Sequence, residues 1–161
     1  MKKNNVEKLK IGIPEGNIFS EYIVDDKEVL DEVLVDTIEK TANAKPVRKN
    51  LDITFVSNQK IDSNRFTSAY KNTMQNKVDT KNREISRCLI TGIIMTIVAV
   101  CLLLVYVYVF SQLSLFWNKF QEISVWVFVW ASVEILTVEL IQLLIDRAKA
   151  KKLLNATLTI K

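Results

Sequence analysis

The chain has 161 residues, of which 49% are hydrophobic and 25% charged, and its formal net charge is +4. That charge is too small to indicate nucleic-acid binding, and no basic stripe alternates with aromatic residues in the N-terminal part. Histidine is absent, which removes the commonest general base and metal ligand, and neither cysteine lies outside the apolar C-terminal half. We therefore expect no enzyme, no metal site and no cofactor.

Residues 1–86 hold most of the charge and predict a small cytoplasmic α+β domain. Short strands are predicted at Lys8–Ile13 and Ile18–Asp25, separated by the turn sequence PEGN. An amphipathic helix is predicted over Asp25–Asn43, because apolar residues recur there at helical spacing: Val29, Leu30, Val33, Leu34 and Ile38. Pro46 ends this helix.

The next elements are a strand and a second helix. Leu51–Val56 alternates like a strand, and Asp62 or Ser63 can cap the helix that follows. The apolar face of this helix comprises Phe66, Ala69, Tyr70, Met74 and Val78. The helix either continues into the following apolar run or breaks at the polar stretch Asp79–Asn82.

An acidic segment, residues 15–39, contains nine acidic residues and one lysine. It is either a solvated surface or a docking face for a cytoplasmic protein partner. A domain with so few large apolar residues is marginally stable alone. We expect it to pack against another subunit, a partner or the membrane surface.

Two apolar runs follow, Cys88–Phe110 and Ile123–Ile145, each of 23 residues. A helix of that length is about 34 Å long and can cross a hydrocarbon core of about 30 Å. We predict a transmembrane hairpin of helices 88–110 and 123–145, making the protein mainly α overall. The hairpin is joined by an aromatic loop at 111–122 and followed by a basic tail at 146–161.

Basic residues flank the hairpin on one side. Lys81, Arg83 and Arg87 precede the first span, and a second set follows the second span: Arg147, Lys149, Lys151 and Lys152. The loop contains only Lys119. The positive-inside rule then places both termini in the cytoplasm, with the protein in the plasma membrane and its basic residues near anionic lipids. No signal peptide is expected at the start of the sequence.

Carboxylates interrupt the second run. Glu134 is its twelfth residue and lies near the predicted bilayer midplane, where a charged carboxylate facing lipid costs about 2.5–3.5 kcal/mol. Glu139 and Gln142 lie one turn apart on one face, offset from Glu134 by roughly 80–140° on a helical wheel. So wide a polar arc requires more than one neighbouring helix.

The first span offers one such neighbour, with a stripe of small residues: Cys88, Gly92, Thr96 and Ala99. Counting inward from the outer ends places Glu134 at the depth of Ala99 and Gln142 near Thr91. Thr91 and Thr96 are then expected to share hydrogen bonds with the acidic side. Part of the polar arc remains unsatisfied, which predicts a homo-oligomer with these polar residues between helices or around a pore.

The function predicted from the sequence is an oligomeric, non-enzymatic two-span module that presents a cytoplasmic docking or sensing domain. Two alternatives stay open: a pore-forming or permeabilising effector, holin-like in general character, and a small membrane immunity protein. The holin comparison rests on architecture alone.

Overall fold

A computed structural model describes residues 6–13, 18–24, 27–46, 50–59, 61–108 and 115–161. The chain is mostly helical, with a small strand-containing part and two long apolar helices. It divides into two compact units. The first unit comprises Met1–Thr80 and Asp146–Lys161, and the second comprises Lys81–Ile145.

The elements are these, in chain order. Strands β1 (Val6–Ile13), β2 (Phe19–Val24) and β3 (Lys27–Leu30) precede helix α1 (Glu32–Asn43) and strand β4 (Asn50–Ser57). Then come helix α2 (Ser63–Tyr108), helix α3 (Leu115–Glu134), a π-helical turn (Ile135–Glu139, the π turn), helix α4 (Leu140–Leu154) and strand β5 (Thr157–Ile160).

The first unit is built on a three-stranded sheet in the order β1-β4-β5, with both pairings parallel. Side chains alternate between its faces, so that Leu9, Ile11 and Ile13 are buried while Lys8 and Lys10 are at least partly exposed. Strands β2 and β3 form a separate antiparallel ribbon. The connection from β4 to β5 contains both apolar helices, so the second unit is an insertion between two neighbouring strands.

Aromatic residues form the centre of the core. Phe55 of β4 packs against Phe66 and Tyr70 of α2, with ring centroids 4.9 and 6.2 Å apart, and all three side chains are 0% exposed. The apolar face predicted for this helix is buried throughout: Phe66, Ala69, Tyr70, Met74 and Val78. Helix α2 also continues through Asp79–Asn82, where a break was one alternative.

The single helix predicted over Asp25–Asn43 is wrong in its first part. Lys27–Leu30 is strand β3, and α1 begins only after Asp31, whose side chain accepts a hydrogen bond from the Val33 N–H at 3.1 Å. The Leu30 N–H donates to Thr73 Oγ1 of α2 at 2.9 Å. A contact 43 residues away thus stabilises the strand, whereas the sequence pattern considers only local spacing.

The predicted basic tail, 146–161, is not a separate segment. It completes α4 and forms β5, and Tyr70 Oη donates to the Leu153 carbonyl at 2.9 Å. Lys161 N–H also donates to the Phe55 carbonyl at 2.8 Å.

The predicted loop, 111–122, becomes helical at Leu115. The expected PEGN turn, residue Asp25, the end of the first predicted span at Phe110 and loop residues 111–114 lie outside the described residues.

Candidate functional site

Within the described residues, two helices are long and apolar enough to cross a membrane: Ser63–Tyr108 and the continuous run Lys119–Leu154. Only 17% and 6% of their most apolar windows are buried. Large apolar side chains of the second unit are exposed on both helices, among them Ile93, Ile97, Leu104, Val127, Trp130 and Ile141. A core helix of a soluble domain would have most of this surface covered, so the apolar surface is the main feature of the second unit.

The small residues of α2 face the other helix within the same unit. Cys88 and Ala99 are 8% and 5% exposed, and a Cβ added at Gly92 would lie 2.4 Å from Leu136 Cδ2. Cys88 Sγ donates to the Ile135 carbonyl at 3.6 Å. The stripe therefore lets the hairpin helices approach closely.

A hydroxyl pair joins the two helices beside this contact. Thr96 Oγ1 and Ser132 Oγ are 2.6 Å apart, and Thr96 Oγ1 also donates to the Gly92 carbonyl at 2.8 Å. Either hydroxyl of this pair could be the donor. Ser132 is 6% exposed, and its polar group is thereby satisfied.

These contacts differ from the predicted depths. Gly92 packs against Leu136 and Thr96 against Ser132, about one and a half helical turns from the pairing that counting gave. Thr96 bonds to Ser132 rather than to a carboxylate, and Thr91 is exposed. Counting from the ends failed because it assumed equal end depths and uniform α-helices.

The π turn changes the relative positions of the carboxylates. Its Leu140 N–H donates to the Ile135 carbonyl, an i→i+5 bond. In such a turn, residues five apart stack approximately as residues four apart do in an α-helix. Glu139 therefore lies on nearly the same face as Glu134, and the polar arc is narrower than the wheel predicted.

The three polar side chains of this face are exposed on the second unit: Glu134, Glu139 and Gln142. Within the described part of the chain, no hydrogen bond or ion pair joins them to another side chain. A low-dielectric environment penalises such groups unless they are protonated, hydrated or covered by another chain.

The predicted membrane-surface basic residues differ in their contacts. Lys81 pairs with Glu84 at 2.7 Å and Lys149 with Asp146 at 3.0 Å. Lys152 Nζ donates to the Pro46 carbonyl at 2.9 Å and thereby belongs to the first unit's structure. The other basic positions are exposed or partly exposed: Arg83, Arg87, Arg147 and Lys151.

The acidic segment is partly neutralised inside the first unit. Glu28 forms two 2.7 Å hydrogen bonds with Arg65, whose guanidinium lies 4.4 Å from the Phe19 ring centroid. The hydrogen bonds from Arg65 hold the pKa of Glu28 below its ordinary value. Glu39 pairs with Lys77 at 2.6 Å. These pairs reduce the negative charge that this segment offers to a partner.

Ser132 and Leu136 are the packing residues that the sequence reading did not assign. The sequence feature that could have identified them is their i, i+4 spacing, which matches the spacing of Gly92 and Thr96 on the other helix. Comparison with protein families, curated proteins and solved structures finds no match to this chain.

Proposed function

We propose that the chain is a non-enzymatic integral membrane protein whose two apolar helices cross the plasma membrane as a hairpin. Its first unit is a cytoplasmic docking or sensing domain. The observation that supports this proposal is the exposed apolar surface of both helices. These side chains are about half exposed, so in water each would forgo roughly 0.8–1.5 kcal/mol of burial free energy, whereas lipid provides an apolar solvent for all of them.

The arrangement of the first unit supports a two-span topology. This unit contains both Met1–Thr80 and Asp146–Lys161, so the chain leaves it before the hairpin and returns to it afterwards. If both helices cross the membrane, the two ends of the chain lie on the same side. The basic residues that flank the helices favour the cytoplasmic side.

Cysteine labelling tests this topology. In a Cys88→Ala/Cys101→Ala background, Asn58→Cys and Asn155→Cys report on the first unit, where both positions are exposed, and Lys119→Cys reports on the far end of the hairpin. An impermeant maleimide added to intact cells is expected to label only position 119. Positions 58 and 155 should react only after permeabilisation. Labelling of position 58 on intact cells would contradict the proposal. So would labelling of only one of positions 58 and 155 after permeabilisation.

A second candidate, a pore-forming effector, is favoured by one observation. The π turn brings Glu134 and Glu139 to nearly one face, exposed beside Gln142. A ring of hairpins could direct this face toward a hydrated centre. Ion leakage from vesicles that Glu134→Gln abolishes, and that the boundary change Glu122→Gln preserves, would support a pore. If the vesicles do not leak, the pore is refuted and the carboxylates are assigned to contacts between subunits.

A further inference from the structure

The second unit contains a groove between α2 and α3, of about 460 Å³. Its walls are almost entirely apolar, with Ala99 and Val129 among the lining residues. The volume lies within the range of about 300–1,000 Å³ typical of small-molecule sites. The few polar groups lie at its two ends.

One end of the groove lies beside the close contact of the two helices. Thr96 and Ser132 line it and are joined by their 2.6 Å hydrogen bond. Beyond them the helices meet where Leu136 occupies the space of a Gly92 side chain. The two hydroxyls are bonded to each other, and Thr96 is also bonded to the Gly92 carbonyl, so both already have partners within the protein. An apolar chain end fits it.

The other end carries amphipathic and charged groups. Tyr106, Glu122 and Trp126 line it, and Glu122 is paired with Lys119 at 2.7 Å. Aromatic residues of this kind are typical of the boundary between lipid tails and headgroups. The groove thus runs from an aromatic end that carries a charged pair to an end where two bonded hydroxyls lie beside the close helix contact.

The dimensions select the occupant. The rise along α2 from Thr96 to Tyr106 is about 15 Å, half of a hydrocarbon core of about 30 Å, which is the depth of one leaflet. About 460 Å³ over about 15 Å gives a cross-section of roughly 30 Å². A helix about 10 Å across needs roughly 80 Å². The groove is therefore wide enough for a hydrocarbon chain, whereas a partner helix could insert only side chains into it.

We propose that this groove binds a single acyl chain of a lipid from the leaflet at the aromatic end of the hairpin. The inference rests on the proposed membrane insertion. The headgroup lies beside Glu122 and Lys119, and the chain end reaches the Thr96–Ser132 pair. The bound lipid fills the gap between the two helices above their close contact.

Lipid retention measures the site directly. The full chain is extracted from phosphatidylcholine vesicles into detergent and examined by native mass spectrometry. We expect one lipid retained per chain, and at least tenfold lower retention in Val129→Phe, whose ring fills the groove. Val127→Phe is the matched control, because Val127 is 59% exposed and outside the groove lining. Equal retention in both variants, or none in the wild type, would overturn the site.

A second measurement does not require a variant whose side chain fills the groove. Variants that keep Trp126 or Trp130 as the single tryptophan are loaded with chain-brominated phosphatidylcholine and diluted into unbrominated detergent. Quenching should persist for Trp126, which lines the groove, and disappear for Trp130. Equal loss at both positions contradicts the site, as does a disulfide-linked dimer through Val100→Cys in the Cys88→Ala/Cys101→Ala background. A chain that is absent from the membrane fraction refutes the proposed function instead.

Discussion

Gly92 gives the sharpest test of the hairpin packing. A Cβ at this position would lie 2.4 Å from Leu136 Cδ2, 2.7 Å from Leu136 Cγ and 3.3 Å from Ile135 Cγ2. Cγ is not the free end of the side chain, so Leu136 must change rotamer or the helices must separate. Overpacking of this kind costs about 1–3 kcal/mol, of which alanine's better helix propensity offsets up to about 1 kcal/mol. We expect Gly92→Ala to lower the free energy of hairpin unfolding by about 1–2 kcal/mol.

The assay is titration with SDS in mixed micelles, followed by tryptophan fluorescence, since all three tryptophans lie on α3. Gly12→Ala is the control, because no atom lies within 4 Å of its added Cβ. Leu136→Ala removes the clashing atoms, so the double variant should lose less than the sum of the single losses, by about 0.5–3 kcal/mol. Additive losses, or a Gly92→Ala variant as stable as the wild type, would refute this packing.

Three further predictions concern the first unit. Glu28 has a pKa below its ordinary value of 4.5, so the stabilisation from its pairing with Arg65 is fully present above pH 4.5 and is lost as the pH falls through the lowered pKa. Thermal denaturation against pH should show this loss, and Glu28→Gln should remove that part of the profile; an unchanged profile counts against the pair. Tyr70→Phe removes one of two hydrogen bonds to the Leu153 carbonyl, which keeps the Ala156 N–H at 3.0 Å, and should cost about 0.5–1.5 kcal/mol in urea unfolding; an unchanged midpoint would show that the hydroxyl contributes nothing. Deletion of 157–161 removes strand β5 and should lower the melting temperature of the domain, since the partly buried Leu158 and Ile160 pack on its core; an unchanged melting temperature would show that β5 contributes nothing.

Local periodicity predicted those parts of the fold that local patterns determine. Phe66, Tyr70 and Met74 recur at helical spacing, and α2 buries that face. The strand β4 was also expected, at Leu51–Val56, because its apolar residues alternate. In both cases a single element buries one face, and the spacing of its apolar residues in the sequence shows which face that is.

Other features depend on contacts between distant residues. Strand β5 has four residues and pairs with a strand about 100 residues earlier, so its alternation is too short to be recognised alone. The position of Gly92 along its helix relative to Leu136 depends on the π turn, and no sequence pattern predicted that turn. The Lys27–Leu30 segment became a strand through its pairing with β2 and its bond to Thr73.

The most direct test of membrane insertion is the accessibility of nitroxide spin labels at exposed apolar positions of the second unit. Labels at Ile97, Val127 and Ile141, placed in a Cys88→Ala/Cys101→Ala background and reconstituted in vesicles, should collide often with oxygen and rarely with a water-soluble nickel chelate. A label at Asn58 in the first unit should show the opposite preference. Frequent collision with the nickel chelate at all three apolar positions would contradict the account, because these side chains would then face water or a hydrated interface.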